Sequence, residues 1–561
     1  MTSTAIKNIV IVGGGTAGWL TAAILASKIT HDAVTITLIE SPDIATIGVG
    51  EGTWPSMRQT LQDIGISEAE FLTECDASFK QASKFINWNV SDISCSDNSV
   101  THSYYHPFSL ISFPFTDAFK QYQTIKNNLP FDIKFADAMG YQTQLCQQNL
   151  APKQISTPEY QFVCNYGYHL DAAKFANLLK QHCVNRLKVS HIAANVVGIN
   201  NVNQGVDVQI SDTEYSENNS VTYRHGHIES VTIKDSSNRD RKIQGDLFID
   251  CSGQHSLLLG QHYKIPLACQ KSILFNDSAI AVQIPNDTAA SINSSTLSTA
   301  VSAGWIWDIG LQTRRGVGHV YSSSHQTKDE ALTEIKRYIA ASTPNLSEQQ
   351  LENLSFKHLA FSPGFRRQFW YKNCVAVGMS AGFIEPLEAS AIALVEQSAI
   401  EIAQQFPTDL AILPIVTERF NERMKLHWQQ IIEFLKLHYV LSKRRDSQYW
   451  CDHQTLSSVP DSLKTLLNLW QHQLPSAADI THVNPLFPSA SYQYVYMGMK
   501  ETTTANTPDP KVNLLSPNSG ITPRYIAFLE DVMSKRQTLS QRMKSNRELL
   551  DLVRQQGFSA I

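Results

Sequence analysis

A chain of 561 residues with a formal net charge of −5 and a pI near 6.4 is long enough for a large core, and it has no basic field to gather nucleic acid or anionic membrane. Its hydrophobic fraction of 42% is ordinary for a globular protein, while the 17% of charged residues is below the usual level of about 25%. The nine cysteines form no Cys-x-x-Cys pair and no Cys/His cluster at zinc spacing, and there is neither a signal-peptide pattern nor a run of about 20 apolar residues. These features predict a soluble cytoplasmic protein with no metal site, no nucleic-acid partner and no membrane span.

Taken in chain order, Ile9–Val12 reads as a buried strand that runs into Gly13-Gly14-Gly15-Thr16-Ala17-Gly18. A helical pattern from Trp19 and a second strand Val34–Ile39 ending in Glu40 complete a βαβ unit. The glycines permit a tight turn, close approach of backbone to a pyrophosphate and close helix–strand packing. The helix N-terminus offers orphan N–H groups to an anion, and Glu40 stands where a ribose hydroxyl would be. This predicts a dinucleotide site at Gly13, Gly15, Thr16, Ala17, Gly18 and Glu40.

Further on, Ser67-x-x-Glu70 is a capping box that opens a helix with Phe71, Cys75, Phe79 and Ala82 on one stripe. Periodicity alone puts Lys80 off that stripe, as a solvated lysine. Short alternating runs, Gly205–Ile210 and His227–Lys234, read as an antiparallel meander, followed by the buried strand of Asp246–Gly253. Trp305 and Trp307 alternate on a β-like stretch and face the same way. Arg314-Arg315 and Lys443-Arg444-Arg445 read as solvated charges without a role. Cys374–Gly378 is another buried strand entering a turn, Met379 to Glu388, and then an amphipathic helix from about Ala389 to Phe406. A strand–glycine–helix start at Gly378 and Ser380 can aim N–H groups at the edge of a flavin ring. Glu388 by itself is an acid near a helix N-terminus. From about Thr417 the chain reads as helical over Phe420–Leu441, Ser462–Trp470 and Pro523–Gln555, with a Pro- and Ser-rich loop at Thr502–Pro523. The last of these helices reads as solvated and amphipathic.

At these residues the chain resembles the flavin-dependent tryptophan halogenase family. The resemblance runs from Lys7 to about Lys500 and rests on Gly13–Trp19, Gly48-Val49-Gly50-Glu51-Gly52-Thr53-Trp54-Pro55, Ala77-Ser78-Phe79-Lys80 through Trp88, Tyr105-His106-Pro107-Phe108, Gly304-Trp305-Ile306-Trp307 and Pro386-Leu387-Glu388. It implies an α/β fold: a Rossmann-type, flavin monooxygenase-like FAD module over residues 1–416, interleaved with a mainly helical substrate module. The substrate module would be the insert at about 55–165 together with a capping part at 417–561. The resemblance makes Lys80 the indispensable lysine on a helix bordering an internal tunnel, and Glu388 the carboxylate beside it. It adds Gly50 to the cofactor site, with Gly378 and Ser380. It further implies a halide site at Ser390 and Ala391, substrate contacts at His106, Phe108 and Trp450, and a barrier of Trp305 and Trp307 between flavin and substrate. The implied cofactors are FAD, used as FADH2 from a separate flavin reductase, and chloride or bromide. The substrate would be an aromatic small molecule of indole or tryptophan type. A homodimer is compatible with the sequence and not required by it.

Two departures bear on the substrate. Asp308-Ile309-Gly310 stands where the family signature ends in Ile-Pro, and Glu388-Ala389-Ser390-Ala391 stands where tryptophan-specific members have Glu-Ser-Thr-Gly. No segment is assignable to the carboxylate and ammonium of free tryptophan, so an indole without the zwitterion, or tryptophan within a larger molecule, is the expected substrate. A flavin monooxygenase that hydroxylates an arene, and a catalytically silent flavin- or indole-binding protein, are the alternative readings.

Overall fold

In the computed structural model, described for residues 5–29, 33–44, 50–90, 102–111, 122, 133–202, 209–210, 221–222, 226–235, 239–287, 289–480, 484–500 and 522–558, two large sheets organise the chain. The first runs Trp370–Tyr371, Cys374–Ala376, Leu247–Asp250, Asn8–Val12, Thr35–Glu40, Ser190–Ala193, and is parallel apart from its Trp370–Tyr371 edge. Ile9–Val12 is buried on both faces, which is why it reads as a continuous apolar run instead of an alternation. Helix Thr16–Lys28 follows and packs against helices Ser390–Gln404 and Ala172–Asn185. Gly13 has φ +121°, and a Cβ on it would lie 2.1 Å from the Cys251 carbonyl oxygen; a Cβ on Gly18 would lie 1.9 Å from that of Gly13. The βαβ unit therefore stands as its glycines demand.

The second sheet runs Lys357–Ala360, Ser278–Pro285, Arg314–Tyr321, Gly304–Gly310, Ser295–Val301, Ala82–Ile86, Ser103–Pro107. All neighbours are antiparallel except Ser295–Val301 with Ala82–Ile86. The 55–165 segment thus contributes two strands to this sheet as well as helices Ser56–Ile64 and Glu68–Glu74. A small sheet, Gly50–Gly52, Gly167–Asp171, Ser78–Lys80, lies beside it. The meander is present as Asn195–Asn201, Ile228–Lys234 and Asp240–Gln244, while Gly205–Val208 of its first run lies outside the described residues.

Three expectations change. The helix opened by Ser67 stops at Glu74, and Asp76 takes the left-handed conformation, φ +52°, with its carboxylate accepting from Thr313 N and Oγ1. Lys80 is accordingly on a strand, not a helix, and is fully buried. The stripe of Phe71, Cys75, Phe79 and Ala82 does not continue as a helix, because Ser78–Ser83 is a stretch buried on both faces, where neither period appears. The C-terminal helix is two, Pro523–Arg542 and Asn546–Gln556, and the second is tied into the interior: Asn546 is fully buried, its amide donating to the Phe79 carbonyl. Finally, Arg314, Arg315 and Arg444 are not free charges. Arg314 pairs with Asp171 at 2.7 Å, Arg315 with Asp308, and Arg444 with Asp446 at 2.6 Å while lying over Trp450.

The long helix Leu413–Val440 and helices Asp461–Leu469 and Ser489–Lys500 form the C-terminal cover, and the Pro- and Ser-rich stretch 502–521 lies outside the described residues. Among the described residues no helix is long and apolar enough to cross a membrane, and no group of three or more His, Cys, Asp and Glu is placed to hold a metal ion.

Candidate active site

A cavity of about 710 Å³ opens over the C-terminal ends of the parallel strands. Gly13, Gly14, Gly15, Thr16 and Ala17 line it, with Glu40 at the end of its strand and Gly378 opposite. A Cβ on Gly15 would meet nothing within 4 Å, so this glycine faces open space, as a backbone that must approach a pyrophosphate should. Glu40 is oriented by Lys180 at 2.7 Å and His191 at 2.8 Å. Gly378 has φ +70°, and a Cβ there would lie 2.8 Å from that of Ala17, so the two turns close on each other. The cradle, the acid and the volume fit a dinucleotide. Gly18, Gly50 and Ser380 do not line the cavity: Gly18 packs helix on strand, Gly50 lies against Ile309 and Gly316, and the Ser380 hydroxyl is buried behind it.

At its far end the cavity meets Glu51, Glu385, Pro386, Ser390 and Ala391. Burial pushes the Glu51 carboxyl up to about 7. One residue away along the chain, at two places, lies a second site, a chamber of buried side chains around Lys80. Gly52 follows Glu51, and a Cβ placed on it would be 3.2 Å from Lys80 Nζ and 3.2 Å from the Ala389 Cβ. Ala389 in turn precedes Ser390. Glu51 and Ser390, which line the cavity, are therefore each one residue away from Gly52 and Ala389, which lie against Lys80 and each other.

Lys80 enters the chamber from its strand, with Nζ 5.2 Å from the Phe108 ring centre. Desolvation lowers it to about 8, and the facing Glu388 offsets part of that drop. Glu388 and Ala389 are both left-handed, φ 64° and 56°, although neither is glycine. Such a pair costs of order 1–2 kcal/mol per residue, and it turns the Glu388 carboxylate away from the helix it precedes. Oε1 meets His106 Nδ1 at 2.8 Å and His438 Nε2 at 3.2 Å, and Oε2 accepts from Ser83 Oγ at 3.1 Å. Burial would raise this carboxyl, but the two histidines outweigh it and hold it well below the ordinary carboxylate range. The Trp54 indole N–H donates to the Glu388 carbonyl at 2.7 Å. Aromatic rings complete the wall: Phe434 packs on Phe487 at 3.9 Å and on His106 at 5.8 Å, and Tyr494 lies 6.3 Å from His106.

The structure thus brings Lys80, Glu388, His106 and Phe108 together. Trp305 and Trp307 lie 6.3 Å apart on their strand, and Gly318 leaves the space that the Trp307 ring fills. Neither lines the cavity, but Trp305 donates to Glu385, which does, at 2.7 Å. Trp450 is not brought to Lys80 and Glu388. It is fully buried behind Trp88, 5.7 Å away, with its N–H on the Val301 carbonyl. Of the departures, Ile309 packs against Gly50, and the Gly310 carbonyl accepts from Ser78 Oγ at 2.6 Å, so both adjoin the strands that carry the site.

Sequence reasoning gave no role to Ser83, His438, Ser491 or Glu385. Ser83, on strand Ala82–Ile86, donates its hydroxyl to the Glu388 carboxylate. His438 and Ser491 sit on helices whose apolar periodicity masks a polar side chain turned inward, and no local signal marks them.

The chain matches the tryptophan halogenase family over residues 8–513. It is 32% identical to the tryptophan 6-halogenase ThaL of Streptomyces albogriseolus over 484 residues, 85% of this chain and 84% of that one. Its fold is similar to that of a tryptophan halogenase from Shewanella frigidimarina, at TM-score 0.85 and 44% identity, with 99% of each chain covered. It is also similar to Tar14, a tryptophan C-6 flavin-dependent halogenase from taromycin biosynthesis, at TM-score 0.81 and 30% identity, covering 98% of this chain and 100% of that one. A flavin-type α/β fold with a buried lysine and carboxylate behind a dinucleotide cavity defines a flavin-dependent halogenase. The chain belongs to the tryptophan halogenase family.

Proposed function

We propose that this protein halogenates an indole or related arene, taking FADH2 from a separate reductase and using chloride or bromide. Gly13, Gly15, Thr16 and Ala17 would hold the FAD pyrophosphate, Glu40 its ribose and the turn at Gly378 its ring. When bound, reduced flavin with oxygen supplies the oxidant that turns halide into hypohalous acid, and the backbone at Ser390 and Ala391 would hold the halide.

The one-residue separation at Glu51–Gly52 and Ala389–Ser390 supports transfer of a small oxidant between the two sites while the arene stays apart from the cofactor. Lys80 receives the hypohalous acid, and its depressed pKa keeps a usable fraction of free amine near neutral pH. The arene π electrons form the new carbon–halogen bond as the halogen–oxygen bond breaks, and the departing oxygen takes a proton from the Lys80 ammonium to leave as water, a proton that Lys80 regains once Glu388 has taken the ring proton. The ring C–H bond then breaks, its electron pair restores aromaticity, and Glu388 accepts the proton. Phe108, Phe434 and Tyr494 suit a flat electron-rich ring.

The single observation that carries this reading is the fully buried Lys80 facing the buried carboxylate of Glu388. The test supplies FADH2, oxygen and bromide to a panel of indoles, tryptophan and tryptophan-containing peptides, read by mass spectrometry. Brominated product is expected, with simple indoles or peptides turned over better than free tryptophan, because a zwitterion buried without partners costs several kcal/mol. Hydroxylated product independent of bromide would overturn the reading.

A further inference from the structure

Two histidines grip Glu388, and their other ring nitrogens differ. His106 Nδ1 faces Glu388 Oε1 at 2.8 Å while its Nε2 faces Ser491 Oγ at 2.9 Å. A hydroxyl can donate, so a neutral His106 satisfies both contacts: Nδ1–H donates to the carboxylate, and Nε2 accepts from Ser491. His438 has no such freedom. Its Nδ1 lies 3.0 Å from the Phe434 carbonyl oxygen, which only accepts, so Nδ1 must carry a proton. Its Nε2 then faces Glu388 Oε1 at 3.2 Å, and in a neutral ring that would set a lone pair against a carboxylate. Both partners are removed from water, with side-chain exposures of 0% for His438 and 3% for Glu388, so no solvent relieves the conflict.

We propose that His438 is held as an imidazolium, donating Nδ1–H to Phe434 and Nε2–H to Glu388, and that this buried cation keeps Glu388 a carboxylate able to take the ring proton. His438 is a positioning residue: it acts on the arene through Glu388. The inference deepens the proposed function and rests on it for the role of Glu388, though not for the charge on His438. The ring is fixed in place by Phe85 at 4.7 Å, Trp88 at 5.9 Å and Phe434 at 5.3 Å. The titratable groups facing this pair are few. Lys80 on its strand, His106 and Tyr104 on strand Ser103–Pro107, and Ser83 on strand Ala82–Ile86 surround Glu388. Glu385, from the turn before Glu388, is the other acid that feels His438, and it is occupied with Asn276, Trp305 and Tyr439. Burial pushes the Glu385 carboxyl up, so it competes weakly for the cation.

Two measurements test this on the full-length protein. In protein labelled with ¹⁵N-histidine, His438, assigned by its loss in His438→Gln, should show both nitrogens protonated at neutral pH. A neutral imidazole signal overturns the proposal whatever the enzyme turns over. In the halogenation assay, His438→Gln keeps a neutral donor near Glu388, and His438→Phe keeps only the packing. In both, the acid limb of the kcat profile should move up by about 1–3 pH units, the effect of removing an opposite charge at contact distance. An unmoved acid limb in the Gln variant with a lower plateau would assign His438 to packing alone. A parent protein that halogenates nothing would overturn the proposed function and leave the NMR result to judge the charge on His438.

Discussion

The dinucleotide-type cavity and the buried chamber around Lys80 lie one residue apart but are built by opposite means. The cavity is a backbone structure: one of its glycine turns belongs to a contiguous βαβ unit and another is at Gly378, and it is large and open. The chamber is a side-chain structure, with Lys80, Ser83, His106, Glu388, His438 and Ser491 converging from six segments into a buried polar cluster. A cofactor held by N–H groups and a helix end tolerates variation in the side chains around it. A chamber whose lysine is desolvated and whose glutamate is tuned by two histidines does not. The contrast says where mutation should cost affinity and where it should cost chemistry.

The largest expected effect is on the cavity. Gly15→Val should abolish FAD binding while leaving the fold intact, because the new side chain meets no protein atom within 4 Å of its Cβ and projects into the cavity. Equal FAD retention in mutant and parent, measured by flavin fluorescence after desalting, would break the distinction between the two regions. Lys80→Ala acts on the other region alone. Arene halogenation should fall by at least about a hundredfold, the lower range for a positioned catalytic group, while FAD affinity stays unchanged. A mutant that halogenates at the parent rate would return Lys80 to a structural role.

The charge in the chamber should also be visible as stability. Lowering a lysine from 10.5 to about 8 means that its ammonium is held at a cost of about 3 kcal/mol in the folded state. Between these two values the unfolded chain binds more protons, so stability rises with pH across that window, and the cost is fully present below about pH 8. Lys80→Met, which keeps the volume and removes the charge, should therefore raise the thermal midpoint at pH 7 and lose that advantage near pH 10.5. A midpoint unchanged at pH 7 would show that the lysine finds more solvent than its burial suggests.

The smallest effects sharpen the boundary. Glu40→Gln should weaken FAD by about tenfold, because a neutral amide replaces a charge-assisted acceptor, with the halogenation rate at saturating FAD unchanged. Trp450→Phe should lower the thermal midpoint without altering the KM for the arene, since the indole packs behind Trp88 and donates to the Val301 carbonyl. A raised KM would place it in the chamber after all.

The sequence determined the glycine turn and the acid of the cavity, while Gly50 and Ser380, expected there, lie outside its lining. Gly13, Gly15, Gly18 and Glu40 lie within one βαβ unit, and the conformational need for each glycine is local, so spacing alone was enough to read it. Family resemblance extended this to Lys80, Glu388, His106 and Phe108, although periodicity made Lys80 a surface residue on a helix. That error has a physical cause: Ser78–Ser83 is buried on both faces, with polar side chains turned into an internal chamber, and such a strand shows neither the helical nor the alternating pattern. Only the tertiary structure decided the rest. The left-handed turn at Glu388 and Ala389 carries no glycine to announce it, and Ser83, His438 and Ser491 come from strands and helices far apart in the chain. The ionisation of Lys80 and Glu388 follows from desolvation and from the charges facing them, which exist only once those distant segments have packed against one another.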